Sequence, residues 1–199
     1  MIRLFIALPI PAEIRYELSR LACGIPGARW VAPENYHLTL RFAGNVDTDI
    51  AEDIDNALLR IDAEGVAVDL DSIGWFGTKK KPTTIVVKAS KTPELVHLQR
   101  KIESAMVRIG LGPDERKFMP HITLARLKGA SLFDVEQYCA SNAGISLPSF
   151  MAHDFTLYSS FLSQSGAIYT PEADYPLRLP APLTYAAAWN NELEQVGSY

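Results

Sequence analysis

The sequence predicts an α+β fold made of two related lobes that face one central cleft. Three observations predict it. Strand-like and helix-like stretches are mixed along the chain but do not strictly alternate, which separates it from a doubly wound parallel sheet. A four-residue strand segment occurs twice, as His37-Leu38-Thr39-Leu40 and His121-Ile122-Thr123-Leu124, 84 positions apart (121 − 37 = 84). A helical stretch precedes each copy, at Pro11–Cys23 and at Thr92–Ile109. A weak internal duplication follows from this, although nothing outside the motif aligns the halves.

Each element has a local reason. Residues 3–8, Arg-Leu-Phe-Ile-Ala-Leu, are apolar and β-prone and read as a buried strand. Pro11 opens a helix at an allowed first-turn position, with Ile14, Leu18, Leu21 and Ala22 as its stripe and Gly24 and Pro26 ending it. Ala28–Ala32 is a short apolar piece turned by Pro33. The first motif strand spans Tyr36–Ala43 and is closed by Gly44. Thr48 is the expected N-cap of a helix carrying Ile50, Ile54, Ala57, Leu58 and Ile61 at helical spacing. Gly65 breaks it. Val66–Asp71 alternates like one half-exposed strand, and Ile73–Gly77 continues it toward the basic turn Lys79-Lys80-Lys81-Pro82. Thr84–Ala89 is the next strand.

Thr92-Pro93-Glu94 starts a long helix lined by Leu95, Leu98, Ile102, Ala105, Met106 and Ile109. Gly110 and Gly112 end it. The second motif strand covers His121–Leu127, and a short helix follows from Ser131 to Ser141. Phe150–Phe161 and Ala167–Leu179 are the last strand regions, with a turn at Ser165-Gly166. Residues 1–180 read as one bilobal domain. Ala181–Tyr199 reads as a loosely packed tail.

Composition narrows the function. A chain of 199 residues with 48% hydrophobic and 21% charged residues fits one sizeable globular domain. Its net charge of -4 argues against charge-driven binding along a nucleic acid backbone, but allows a local basic cluster to take one phosphate or chain end. Two isolated cysteines, Cys23 and Cys139, suit a reducing compartment and make no thiolate metal site. The apolar start is cut by Pro9 and Pro11 and followed at once by charges, so no targeting segment is expected. No run reaches membrane-spanning length. The expectation is a cytoplasmic monomer without a cofactor.

Strand alternation puts His37 and Thr39 on one face and Leu38 and Leu40 on the other, and the second copy does the same. Two such faces across a cleft bring together two imidazoles and two hydroxyls. Water attack on a phosphodiester needs a base for the water, an acid for the leaving oxygen and donors for the phosphoryl oxygens. An imidazole titrates near pH 6.5, so a pair can supply one neutral base and one charged acid. Thr39 and Thr123 are suited to donate to the non-bridging oxygens. In-line displacement suits histidines on opposite walls. Two histidines without paired carboxylates make a poor metal set. His97 reads as a surface residue and His153 as structural.

These residues resemble the 2H phosphoesterase superfamily, and most closely the RNA 2',3'-cyclic phosphodiesterases, also known as LigT/ThpR-like or 2'-5' RNA ligase-like proteins. The resemblance is carried by Arg3–Leu8, Arg29-Trp30-Val31, His37–Gly44, Pro120–Arg126 and Phe155–Ser160. It implies a bilobal fold with pseudo-two-fold lobes of antiparallel sheet plus helices. It implies metal-independent opening of an RNA 2',3'-cyclic phosphate to a 2'-phosphate, with RNA 3' ends or cyclic nucleotides as partners. On that likeness His37 is the proton donor, His121 the proton acceptor, and Thr39 and Thr123 bind the phosphate. The near-symmetric motifs do not assign those two roles themselves.

For the arginine, strand parity puts Arg41 with His37 and Thr39. Arg126 falls on the opposite face unless a bulge turns it, yet the resemblance has an arginine there; both are carried as phosphate ligands, Arg126 first. Phe42 and Phe118 are expected in the core, with base stacking as the alternative. The alternatives for function are the reverse 2'-5' ligation, a small cyclic phosphate as substrate, and a non-catalytic module that holds RNA ends.

Overall fold

The computed structural model describes residues 1–162 and 167–179. The turn expected at Ser165-Gly166 and the tail from residue 181 lie outside the described residues. The elements are β1 (Ile2–Pro9), α1 (Ala12–Ser19), β2 (Ala28–Trp30), a 3-10 turn (Pro33–Asn35), β3 (His37–Val46), α2 (Thr48–Leu58), β4 (Val66–Val68) and β5 (Leu70–Thr78). Then come β6 (Lys81–Ala89), α3 (Pro93–Arg108), β7 (His121–Leu127), α4 (Leu132–Ser141), β8 (Phe150–Ala152), β9 (Asp154–Leu162) and β10 (Ala167–Pro176).

The main sheet has the order β10-β9-β1-β3-β7-β6-β5, with β2 paired to β7; β4 and β8 form a separate ladder. Every strand pairing is antiparallel. The expected lobes are the two halves of the main sheet, β10-β9-β1-β3 and β7-β6-β5. The motif strands β3 and β7 join them through one residue pair, Leu38 opposite Ile122.

The topology aligns the repeats where the sequence could not. The order β1-α1-β3-α2-β4-β5 returns as β6-α3-β7-α4-β8-β9, leaving aside β2 and β10. In each repeat the motif strand pairs with the repeat's first strand, β3 on β1 and β7 on β6. The last strands are exchanged: β5 flanks β6, and β9 flanks β1. The second repeat's helices also reach strands of the first. The second repeat's α3 packs on β3 and β4, while α4 packs on β5 and β6. Neither repeat can therefore bury its sheet without the other.

The helices form where capping and spacing agree. Thr92 Oγ1 accepts the Leu95 N–H (3.2 Å) and Pro93 fills the first turn, so α3 starts where expected. Its Leu95, Leu98, Ile102, Ala105 and Met106 are buried. Ser131 caps α4 through the Asp134 N–H (3.1 Å). These stripes cover Leu38, Leu40, Ile85, Val87, Ile122 and Leu124, all in one core. Burying each such side chain stabilises the fold by about 1.5–3 kcal/mol. Phe5, Ala7 and Val86 are also buried but stand outside that cluster, on the opposite face of the sheet.

Several boundaries differ from expectation. α1 ends at Ser19 rather than Cys23, and Asp47, not Thr48, is the N-cap of α2. The alternating run 66–71 divides into β4 and β5, which pair with different partners. β6 begins at Lys81 and includes Pro82. Phe150–Phe161 divides at His153 into β8 and β9. Gly44 does not close the first motif strand. Leu4 pairs with Gly44 and Phe5 with Phe42, so Ala43 is bulged out, and Gly44 at φ 85° carries the strand on to Val46.

Candidate active site

The Leu38–Ile122 pair sets the site. Both side chains are fully buried, so the residues flanking them on each strand face the other way. Because β3 and β7 run antiparallel about this pair, His37 comes level with Thr123 and Thr39 level with His121. The pseudo-two-fold thus passes between two His–Thr couples. The histidines lie within electrostatic reach of each other, and Arg126 lies within reach of both. Both threonine side chains are half-buried, and among the described residues their hydroxyls take no hydrogen bond from the protein.

The two imidazoles are held alike. His37 Nδ1 lies 2.8 Å from the Asn35 carbonyl, and His121 Nδ1 lies 2.7 Å from the Met119 carbonyl. A carbonyl only accepts, so Nδ1 carries the proton in each and Nε2 keeps the lone pair of the neutral ring. The phenyl ring of Phe5 packs against His37 (4.8 Å between centroids), Tyr169 meets it edge-on (5.1 Å), and Tyr158 stands 6.2 Å away. Phe76 meets His121 edge-on at 4.8 Å.

Burial pushes the His37 imidazole down to about 4, with the charges of His121 and Arg126 acting in the same direction and the Asn35 carbonyl opposing. His121 is lowered by burial, then by Arg126, against the Met119 carbonyl. An unfolded histidine titrates near 6.5, so between pH 6.5 and 4 the unfolded chain binds the proton and folded His37 does not. Stability from this source is whole above about 6.5 and is lost as pH falls toward 4, by at most about 3 kcal/mol. The urea midpoint of wild type should therefore drop more between pH 7 and pH 4.5 than that of His37→Gln; equal drops would contradict this.

The bulges decide the arginines. In β3, Ile6 pairs with Arg41 and Ala7 with Thr39, leaving Leu40 extra. In β7, Ile85 pairs with Ala125 and Val86 with Thr123, leaving Leu124 extra. A bulge sets two successive residues against one partner residue and shifts the facing pattern by one. So Leu40 and Arg41 are both buried, as Leu124 and Ala125 are. Arg41, expected beside His37 and Thr39, is therefore not on the cleft face. Its Nε meets Glu103 Oε2 of α3 at 2.5 Å, as a contact of charges rather than an aligned hydrogen bond. Its two terminal nitrogens donate to the carbonyls of Phe42 and Gly112.

Arg126, five residues after His121, returns to the cleft face, and its Nη1 reaches Thr84 Oγ1 at 3.4 Å. Phe42 holds the matching place five residues after His37. It is 40% exposed rather than a core residue, with the Arg116 guanidinium 5.3 Å over its ring. Arg116 is itself fixed by two bonds to Asp114, each 2.9 Å. Phe118 is half-buried against the core, as expected.

The register also shows residues the motif did not reveal. Tyr158 is level with Phe5 on one side, and Phe76 is level with Thr84 on the other. They are equivalent aromatic walls, one beside each histidine. Only the exchanged strands β9 and β5 bring them there, so no local pattern marked them. His97 is exposed, as expected; His153 is exposed at the β8–β9 break, where its carbonyl accepts the Leu177 N–H (2.8 Å). Lys79 and Lys80 form an exposed turn between β5 and β6. Among the described residues no group of three or more His, Cys, Asp or Glu could hold a metal ion, and no helix is long and apolar enough to cross a membrane.

A duplicated antiparallel fold with one His-x-Thr strand from each repeat meeting at its centre defines a two-histidine phosphoesterase architecture. The chain belongs to the LigT like Phosphoesterase family, whose model matches twice, at residues 8–86 and 87–169. Each match contains one motif strand, β3 in the first and β7 in the second, and the boundary between them falls inside β6. The chain is 30% identical over 148 residues to an RNA 2',3'-cyclic phosphodiesterase of Aeropyrum pernix, covering 73% of this chain and 84% of that one. It is 32% identical to the RNA 2',3'-cyclic phosphodiesterase of Escherichia coli, covering 85% and 93%. The structure of E. coli LigT complexed with 3'-AMP superposes with a TM-score of 0.70 at 29% identity, over 88% of this chain and 98% of that one.

Proposed function

We propose that this enzyme hydrolyses 2',3'-cyclic phosphate ends of RNA to 2'-phosphate ends by acid–base catalysis between His37 and His121, without a cofactor. The observation that carries the reading is the His–Thr/His–Thr symmetry about Leu38–Ile122, with Arg126 within electrostatic reach of both imidazoles. The relatives named RNA 2',3'-cyclic phosphodiesterase supply the substrate class.

In this reading the cyclic phosphate sits between the imidazoles. Thr39 and Thr123 donate to its non-bridging oxygens, and Arg126 balances its charge. His121 Nε2 takes a proton from water as the water oxygen bonds to phosphorus. The bond from phosphorus to the 3'-oxygen breaks in line, and His37 Nε2–H protonates that oxygen. The product keeps its phosphate on the 2' position. Empty, the cleft disfavours a charged His37; the anionic phosphate restores the missing negative charge and raises its pKa. The exposed Phe42 ring beside Arg116 offers a face for the terminal base. Residues 1–180 act as one domain, and the enzyme works as a cytoplasmic monomer, in keeping with its free cysteines.

Phosphorus NMR of an RNA oligonucleotide with a 2',3'-cyclic end, in the presence of EDTA, tests the reading. The expected result is conversion of the cyclic resonance to a 2'-phosphate. A 3'-phosphate product, turnover abolished by EDTA, or tight binding without turnover would each overturn it. A ligated product from paired RNA ends would assign the site to the reverse reaction instead.

A further inference from the structure

β2 lies along the C-terminal part of β7, with Ala28 opposite Leu127, Arg29 opposite Arg126 and Trp30 opposite Ala125. Residues directly opposite share a face of the sheet, with their Cβ atoms about 5 Å apart. Trp30 and Ala125 are on the core side: Ala125 is fully buried, and Trp30 packs on Tyr138 of α4 (5.8 Å). Arg29 therefore shares the cleft face with Arg126.

Like charges directly opposite on neighbouring strands destabilise a sheet. Among the described residues neither guanidinium meets a carboxylate, although the chain carries 23 acidic residues. Arg126 has only the Thr84 hydroxyl, and both side chains are exposed. Two unpaired cations at this spacing call for anions. Arg126 follows Thr123 by three residues along β7, and Thr123 is level with His37, so Arg29 opposite Arg126 lies further along the cleft than the His37–Thr123 couple. Arg29 thus stands one step outward from the reacting phosphate, where a second phosphate of a continuing chain would pass.

We propose that Arg29 binds the phosphodiester on the 5' side of the terminal nucleotide, so that the enzyme distinguishes a polynucleotide end from a 2',3'-cyclic mononucleotide. This rests on the reading of the site as an RNA cyclic phosphodiesterase. It makes Arg29 a specificity residue for RNA length, separate from Arg126 at the reacting phosphate.

The experiment compares wild type and Arg29→Ala on a cyclic-phosphate-ended oligonucleotide and on a 2',3'-cyclic mononucleotide across a salt series. The expected result is a KM for the oligonucleotide raised about tenfold, as for loss of a charged hydrogen bond, with kcat unchanged and the mononucleotide unaffected. The salt slope of oligonucleotide KM should fall by about one. Arg29→Lys should keep that slope while recovering only part of KM; it carries the same comparison if the alanine variant folds poorly. Equal losses on both substrates would overturn the proposal by assigning Arg29 to the reacting phosphate. No change on either would reduce it to a surface charge. A wild-type enzyme inert on both substrates would instead sink the functional reading itself.

Discussion

His37→Ala and His121→Ala should each lower kcat for cyclic phosphate opening by about a hundredfold to ten-thousandfold, the range for losing a general acid or base. The two carbonyl contacts at Nδ1 leave the lone pair of each neutral ring on Nε2, the nitrogen the proposed acid–base pair uses. The double variant should be little worse than the weaker single, because the proton donor and acceptor act in one displacement and their effects do not add. Rates against pH should form a bell whose limbs belong to the pair.

The position of that bell is itself a test. In the empty cleft burial holds His37 near 4, so the fraction charged at pH 7 is about one in a thousand. Bound phosphate opposes this by adding negative charge. The optimum of kcat should therefore lie at higher pH than that of kcat/KM, since the first reports the complex and the second the free enzyme. Either histidine variant retaining wild-type turnover would eliminate the acid–base pair. Coincident optima would remove the role given to the phosphate in charging His37.

The two arginines should separate cleanly. Arg126→Ala should cost about a hundredfold to a thousandfold in kcat, as for the loss of a donor to transition-state charge. Its side chain is exposed, so the unfolding free energy should change by no more than about 0.5 kcal/mol. Removing this positive charge also relieves both imidazoles, so both limbs of the pH profile should move up. Arg41→Ala should do the opposite. Arg41 is 7% exposed and faces Glu103, so its removal strands a charge and should cost about 3–5 kcal/mol of stability. Glu103 Oε1 also accepts the Asp114 N–H (2.9 Å), so the loop toward Arg116 should loosen with it. Adding Glu103→Leu should recover part of the loss. An Arg41 variant of full stability with kcat lowered as far as that of Arg126→Ala would refute the assignment from the bulges.

Much of the fold was legible because it depends on local chemistry. The Thr92-Pro93 start and the Leu95–Met106 stripe were enough to place α3, and the alternation of His121–Leu127 was enough to place β7. The divided strands were not legible. Val66–Val68 and Leu70–Thr78 are contiguous in pattern and part only because β8 and β6 pair with them separately. Arg41 was misplaced for a related reason. Strand parity counts along one chain, whereas a bulge arises from how the partner strand fits. A trace of it was present: four residues after each histidine stand Arg41 and Ala125, and an alanine is a poor phosphate ligand but a good core residue.

By itself the sequence determined the duplication, the α+β class and the two His–Thr faces, because side-chain order and local periodicity are properties of the chain alone. Tertiary structure decided which residues join them. The exchange of β5 and β9 brings Phe76 and Tyr158 to the histidines, and β2 sets Arg29 beside Arg126. The matching bulges at Leu40 and Leu124 turn Arg41 into the core and Arg126 into the cleft. Those outcomes depend on pairing between strands far apart in the chain, where one residue of slip reverses every side chain beyond it.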